Sequence, residues 1–336
     1  MINIFKFFLL FTLLVSAESV FAQQTEREKG IEVYQKGDYQ GAIQILKKAV
    51  KTDSSDAESW YFLGLSYFNK DDAKDSLKAF KKAVELNGQD SRARVGLAYV
   101  YLIKNNLQEA QKEAQEAIKL NGKNAEAHYV LGVINFRNNS FNYAYERARK
   151  ALEMNPNLAA AYLLKTESLV SSFSQQTGTV IKSQNARKEL LKEAAWNLEK
   201  YISLAPSNKE TEFQREYLQS LEFFAQYYDA PENNLPNSLD VNEQINVSKT
   251  PVKILSKPPA SYTERARGAG ITGTIRLLVG FAVNGNVRHI LVLKPLSHGL
   301  NEEAVRAARG IKFEPATQDG KPISVVKIIE YSFSIY

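Results

Sequence analysis

Hydrophobic residues between positions 23 and 208 recur with a period of about 34 residues. Each period holds two amphipathic helical stretches, and Asn-Gly or Asn-Pro pairs stop helices at 87–88, 121–122 and 155–156. Small residues stand where two helices approach closely, and large residues fill the gaps between them. The second period is the clearest, and its marker residues are Trp60, Leu63, Gly64, Tyr67, Phe80 and Ala83. This pattern predicts stacked pairs of antiparallel helices.

The spacing and these marker residues resemble tetratricopeptide repeats (TPRs), which implies that the first helix of each pair lines a concave groove. Leu65 and Val133 share the groove register but are expected to pack between repeats. The Lys and Asn residues of carboxylate-clamp repeats are absent, so no chaperone-tail ligand is implied. The residues predicted to contact a protein partner are Tyr61, Asn69, Arg92, Tyr99, Tyr129 and Arg137.

The fifth period is interrupted. It begins at residues 159–162, resumes at Glu193 and closes at Pro206, which leaves an insertion near 171–184 that is rich in Ser, Gln and Thr. We interpret the insertion as a surface loop and residues 209–228 as a capping helix. The repeat domain is therefore predicted to span 23–228, and the Pro- and Asn-rich stretch 229–250 to be a linker.

The segment after the linker changes from helical to strand periodicity. Residues 274–283 alternate, residues 284–285 form an Asn-Gly hairpin turn, and residues 287–293 return as a second strand. A short helix over 262–267 and a second helix capped by Asn301 are predicted to cover one face of the sheet. A last strand runs over 323–335. The side chains expected to point inward are Ile275, Leu277, Val279, Phe281, Val283, Tyr331, Phe333 and Ile335.

Residues 251–336 contain, in order, the stretches 261–267, 270–275, 284–287, 298–304 and 312–316, and this order resembles the C-terminal domain of TonB-type energy transducers. The resemblance implies a small α+β domain with an antiparallel sheet that grips an extended segment of an outer-membrane receptor. The segment would add as a strand to the edge at 325–333. Lys327 and Arg276 are candidates to attract an acidic segment. The edge residues predicted to bind are Val325, Lys327, Ile329, Tyr331 and Phe333.

The first 22 residues read as a secretory signal peptide. Lys6 precedes an apolar run over 7–15, and Val20-Phe21-Ala22 fits a small-x-small cleavage site. The run is shorter than the stretch of about 20 apolar residues that spans a bilayer. The alternative is an uncleaved membrane tether. Either reading predicts a periplasmic, cell-envelope protein.

Composition narrows the range of functions. The formal net charge is +6, and residues 250–336 alone hold twelve basic and six acidic residues. The chain has no cysteine, so disulfides and thiolate metal sites are excluded. His128, His289 and His298 lack metal-ligand spacing, and no hydrolase or phosphate-loop motif occurs. We therefore expect no enzyme activity, cofactor, metal or nucleic-acid partner.

These features predict a non-enzymatic interaction protein of the cell envelope, linked to TonB-dependent outer-membrane transport. The repeats would be a scaffold and the TonB-like domain would bind a peptide. One alternative is a membrane-anchored TonB-type energy transducer, but no His precedes His128 and the repeats replace the Pro-rich spacer of that family. Another alternative is a basic structural protein that binds cell wall or lipid.

Overall fold

A computed structural model describes residues 26–175, 184–205, 209–228 and 249–335. The proposed signal peptide, nearly all of the linker and residues 176–183 lie outside this part of the chain. The chain divides into two compact units, Met1–Ile134 and Asn135–Tyr336. No helix among the described residues is long and apolar enough to cross a bilayer.

The first unit is built from helices joined by short turns. Aspartates initiate several of them, since the side chains of Asp38, Asp56, Asp72 and Asp90 each accept a hydrogen bond from a backbone N–H of the first turn. The helices are α1 (26–35), α2 (Tyr39–Thr52), α3 (Ala57–Asn69), α4 (Ala73–Leu86), α5 (Ser91–Ile103), α6 (Leu107–Leu120) and α7 (Ala125–Arg137), whose last three residues belong to the second unit.

Phe80 of α4 shows why small residues mark each repeat. Its ring is fully buried, and a Cβ atom on Gly96 of α5 would clash with it. Gly64 of α3 faces the same ring, and its carbonyl accepts a hydrogen bond of 2.9 Å from the hydroxyl of Ser76. The glycines therefore allow three helices to close around one large side chain.

The second unit begins with four further helices: α8 (Phe141–Met154), α9 (Ala159–Gln175), α10 (Gln184–Leu204) and α11 (Lys209–Tyr227). The insertion predicted at 171–184 is too long, because α9 continues through Gln175 and α10 begins at Gln184 instead of Glu193. Ser171 and Ser172 are buried in α9, and the hydroxyl of Ser172 donates to the carbonyl of Leu169 within the helix. Such internal bonding lets serine continue a helix where its composition suggests a loop.

The strand-rich part of the second unit is antiparallel throughout. Its main sheet has the order β4-β3-β8, and two smaller sheets have the orders β2-β5 and β1-β6-β7. Its elements are β1 (Lys249–Thr250), β2 (Lys253–Ser256), α12 (Glu264–Gly268), β3 (Gly273–Phe281), β4 (Val287–Lys294), α13 (Leu300–Arg309), β5 (Lys312–Glu314), β6 (Ala316–Gln318), β7 (Lys321–Ile323) and β8 (Val325–Phe333). The predicted fold class, helical repeats followed by a small α+β domain, is confirmed.

The main sheet is buried more completely than its alternation predicts. Leu277, Leu278 and Val279 are consecutive and all buried, as are residues 290–293 of β4. One apolar cluster runs from Val170 in α9 to Phe333 in β8, so the last repeat helices and the sheet share a core. Consecutive buried positions are expected where both faces of a sheet are covered.

Three details of the sequence prediction are wrong. Val283 and Ile335 lie beyond the ends of β3 and β8, and 49% and 51% of their surfaces are exposed. Asn301 does not cap α13, because its side-chain oxygen Oδ1 accepts a hydrogen bond from Leu296 N–H and fixes the preceding loop. Gly299, with φ of 81°, takes the N-cap position instead.

Candidate functional site

The last strand, β8, lies at one edge of the main sheet. All nine of its residues pair with β3, from Val325 opposite Phe281 to Phe333 opposite Gly273. Within the described residues, β3 is the only strand that pairs with β8. The predicted edge is therefore an edge in the structure, and its outer side offers backbone groups to an additional strand.

One contact identifies which residues face outward. The Lys257 ammonium donates a hydrogen bond of 3.1 Å to the carbonyl of Glu330. Along an antiparallel strand, residues alternate between those that bond to the neighbouring strand and those that point away. Ile328, Glu330 and Ser332 therefore direct their N–H and C=O groups away from β3.

The five residues predicted from sequence form the alternate set. Ile329, Tyr331 and Phe333 are buried in the core, Val325 is partly buried, and Lys327 alone is exposed. A strand that adds to β8 would bond with the backbone of the other set. The sequence prediction located the strand but missed its outward residues, because alternation alone does not say which parity faces the neighbouring strand.

Charge on this edge also differs from the prediction. Arg276 forms an ion pair of 3.1 Å with Glu330 across the β3–β8 pair, so its charge is matched within the sheet. Lys327 is exposed and has no ion-pair partner among the described residues. Lys257, which the sequence analysis did not single out, supplies a second cation, and its ammonium lies 5.0 Å from the centre of the Tyr331 ring.

Tyr331 is a residue of β8 whose polar group lacks a hydrogen bond among the described residues. Its hydroxyl is buried without a hydrogen-bond partner in the described chain. Burial raises the pKa of Tyr331 to about 12, so the hydroxyl is neutral at physiological pH.

The opposite edge of the sheet, β4, is closed by helix α11. The Ile290 N–H donates a hydrogen bond of 3.2 Å to the hydroxyl of Ser220, which in turn donates to the carbonyl of Glu216. The Tyr217 hydroxyl also bonds with the backbone of Val292. Ile290 and Val292 lie two positions apart, so α11 covers successive outward groups of this strand. Of the two edges of the main sheet, β8 is the one that no helix or second strand of the described chain covers with backbone hydrogen bonds.

A β-bulge adds a second contact with α11. The register of the β3–β4 pair shifts beyond Val279, where residue 289 is the extra residue and has φ of 51°. The imidazole of His289 stacks on Phe223 with ring centres 4.0 Å apart. Burial lowers the pKa of His289, and the positive charge of Arg288 lowers it further.

A cavity of about 360 Å³ lies between α11, β4 and α13. The Glu216–Arg309 ion pair joins α11 to α13 at this cavity. Because Tyr217, Ser220 and His289 line it while serving the α11–β4 contact, we assign the cavity to that junction.

Five of the six residues predicted for the repeat groove lie in the first unit, but Arg92 already has partners within the chain. Its guanidinium bonds with the carboxylates of Glu58 and Asp90, each at 2.8 Å, and lies 4.8 Å from the centre of the Tyr61 ring. These bonds raise the pKa of Arg92 above its ordinary value. The arginine is therefore not available to clamp a carboxylate of a partner.

Two of the remaining predicted residues are tyrosines in contact with each other. Tyr99 contacts Tyr129 with ring centres 6.2 Å apart, and Asn69 donates a weak hydrogen bond of 3.4 Å to the hydroxyl of Tyr34. Arg137 belongs to the second unit, where burial lowers the pKa of His298 and the positive charge of Arg137 lowers it further. That places Arg137 near the loop before α13, which the repeat register did not indicate.

Glu126, in the first turn of α7, is a groove residue that the sequence analysis missed. Burial raises the pKa values of Tyr34, Tyr61 and Tyr99, and the negative charge of Glu126 raises each of them further, so the carboxylate lies within electrostatic reach of tyrosines on three other helices. Its side chain reaches solvent, yet the surrounding groove desolvates the carboxyl enough to raise the pKa of Glu126. The internal repeat was the available signal, since Glu126 stands 68 positions after Glu58.

The geometry describes a helical repeat protein whose second unit includes a sheet with one open edge. Comparison with family models identifies both parts. Residues 30–71 match a TPR repeat model, residues 67–134 match a tetratricopeptide repeat model, and residues 258–335 match the Gram-negative bacterial TonB protein C-terminal model. The chain therefore combines tetratricopeptide repeats with a C-terminal domain of the TonB type.

Solved structures similar to this chain are repeat proteins. PilF of Pseudomonas aeruginosa is 17% identical over 62% of this chain and 90% of its own, with a TM-score of 0.48. A thermophilic TPR protein of Thermus thermophilus is 18% identical over 60% of this chain and 99% of its own, with a TM-score of 0.47. The assignment of the two kinds of domain rests on the family models and not on these distantly similar structures. A search of curated proteins found no match.

Both kinds of domain generally mediate protein–protein interactions and are generally non-catalytic. The chain is thus an interaction scaffold, and its TonB-type domain suggests a Gram-negative envelope context.

Proposed function

We propose that this protein works in the periplasm as a non-enzymatic adaptor linked to TonB-dependent outer-membrane transport. The repeats hold one protein partner, and the TonB-type domain captures an extended segment of an outer-membrane receptor or another envelope protein. The observation that carries the proposal is the asymmetry of the main sheet. Among the described strands, edge β8 pairs on one side only, whereas edge β4 is covered by Ser220 and Tyr217.

Strand addition explains how such a domain would bind without a preformed pocket. An incoming segment gains main-chain hydrogen bonds from Ile328, Glu330 and Ser332, and it must displace Lys257 from the Glu330 carbonyl. Lys257 and Lys327 then lie beside the captured segment, where their charges favour an acidic side chain.

The test removes one outward N–H and leaves the sheet intact. Ser332→Pro deletes a donor on the free side of β8, where proline is tolerated, while Ser332→Ala keeps the donor and loses only the hydroxyl. Full-length variants are used to capture proteins from envelope extracts, and bound proteins are identified by mass spectrometry. We expect wild type and Ser332→Ala to retain an outer-membrane receptor and Ser332→Pro to lose it. Equal capture by all three proteins would rule out strand addition at β8.

Localisation is tested separately by fractionation and N-terminal sequencing of the mature protein. A periplasmic protein that begins at Gln23 agrees with the proposal. A membrane-bound protein with an intact residue 1–22 segment would favour the anchored energy transducer.

A further inference from the structure

The first unit contains an internal example of cation recognition. Glu58 and Tyr61 lie one helical turn apart on α3. Arg92, which follows Glu58 by 34 positions, contacts both side chains. Its guanidinium pairs with the Glu58 carboxylate at 2.8 Å and lies over the Tyr61 ring at 4.8 Å. A carboxylate and an aromatic face thus together hold one guanidinium.

The same pair of residues recurs on α7. Glu126 and Tyr129 stand 68 positions after Glu58 and Tyr61, at the same places in the repeat. The position that follows Glu126 by 34 is Ala160, so the repeat supplies no arginine for this second pair. Among the described residues, Glu126 has no ion-pair partner.

The surroundings of Glu126 fit a cation and not an anion. Tyr99 lies beside Tyr129, and the negative charge of Glu126 reaches the hydroxyls of Tyr34, Tyr61 and Tyr99. Arg92, the basic residue predicted for the groove within the first unit, is shared between Glu58 and Asp90. Charge complementarity therefore selects a basic group on the partner.

We infer that Glu126 and the faces of Tyr99 and Tyr129 form the binding site for an arginine side chain of a partner protein's extended segment. The inference deepens the proposed role of the repeats as a partner-holding scaffold, and it does not depend on capture at β8. The partner supplies in this repeat the guanidinium that Arg92 supplies within the chain.

The test uses a fluorescein-labelled nonapeptide with one central arginine among glycines and serines, and the full-length protein. A control peptide has citrulline in place of the arginine, which keeps the shape of the side chain and removes its charge. We expect citrulline to weaken binding by about tenfold or more, and Glu126→Gln to weaken binding of the arginine peptide by a similar factor. Glu126→Lys, which reverses the charge, should abolish it.

Glu109→Gln is the matched control, because Glu109 is also an exposed acid in the first turn of a helix, α6. It should bind the arginine peptide as wild type does. Ser332→Pro should also bind it normally, so failure of strand capture and failure of this site are distinguishable. Equal binding of the arginine and citrulline peptides would overturn the inference. So would an effect of Glu126→Gln on thermal stability without one on binding, which is the behaviour of an acid that only stabilises its helix.

Discussion

Ser220 of helix α11 accepts the hydrogen bond that Ile290 of strand β4 would otherwise offer to another strand. The contact joins the last repeat helix to the TonB-type sheet and closes one of its two edges. Both residues are buried, with 6% and 5% of their surfaces exposed. The repeats in the second unit are therefore part of the sheet's structure and not only a spacer before it.

Removing the Ser220 hydroxyl should destabilise the second unit. Ser220→Ala leaves the Ile290 N–H buried without an acceptor, and the expected loss is about 1–3 kcal/mol in the free energy of unfolding. Urea denaturation measures it. Ser203→Ala is the control, since its hydroxyl donates to Lys200 at an exposed site, and it should change stability by less than about 0.5 kcal/mol. Equal stability of both variants would show that α11 does not seal β4.

A methyl group on Gly96 should destabilise the first unit. Gly96→Ala would place a Cβ atom in steric conflict with the ring of Phe80, which Gly64 of α3 also contacts closely. We expect overpacking to cost about 1–3 kcal/mol in spite of the better helix propensity of alanine. Gly122→Ala is the matched control, because the atom nearest to its added Cβ lies 3.9 Å away. Thermal denaturation of the two variants separates the effects, and a Gly96→Ala protein as stable as Gly122→Ala would contradict this packing.

Acidification should weaken the contact between α11 and β4. The folded pKa of His289 lies below its ordinary value of 6.5, so the unfolded chain binds the proton more readily. The stabilisation is present above pH 6.5 and is lost as the pH falls through the folded pKa. The charged groups that share its cavity are Arg288, Glu216 and Arg309.

The variant that tests this pH dependence is His289→Asn, since asparagine tolerates the positive φ of residue 289. Urea denaturation between pH 7.5 and 5.5 should show a flatter dependence of stability on pH than in wild type. His298 has a lowered pKa as well, because of burial and the charges of Arg137 and Arg265. His298→Asn should therefore further reduce the dependence of stability on pH. An unchanged slope in both variants would contradict the assignment.

Removing Arg92 should create a second arginine site in the groove. Arg92→Gln frees Glu58 and Tyr61, which then match the pair at Glu126 and Tyr129. Isothermal titration with the arginine nonapeptide should change from one site to two. The loss of the half-exposed ion pairs should cost only about 0–1 kcal/mol of stability. A stoichiometry that stays at one would mean that a carboxylate and a tyrosine at these positions do not suffice.

Periodicity in the sequence predicted much of this architecture for a physical reason. A helix pair must place its small and large residues at repeating positions to pack, and a strand must alternate, so the repeat helices and β3, β4 and β8 are readable locally. The pairing of Ser220 with Ile290 is not readable, because it joins residues 70 positions apart across a segment with no repeat. The Arg276–Glu330 ion pair depends on the register between β3 and β8, which alternation alone does not set.

The residues of the repeat groove show the same limit of prediction from sequence. The repeat register located Tyr61, Arg92 and Tyr129, but not that Arg92 is held by Glu58 and Asp90. Serine-rich composition suggested a loop at residues 171–175, where buried serines instead continue α9.

Amide hydrogen exchange on β8 tests the central claim most directly. The full-length protein is compared alone and with a peptide copied from the receptor segment captured in the envelope experiment. Strand addition predicts slower exchange at the outward amides of Ile328, Glu330 and Ser332, with no change at Ile290, whose N–H already bonds with Ser220. Unchanged exchange at the three β8 amides in the bound protein would contradict the account.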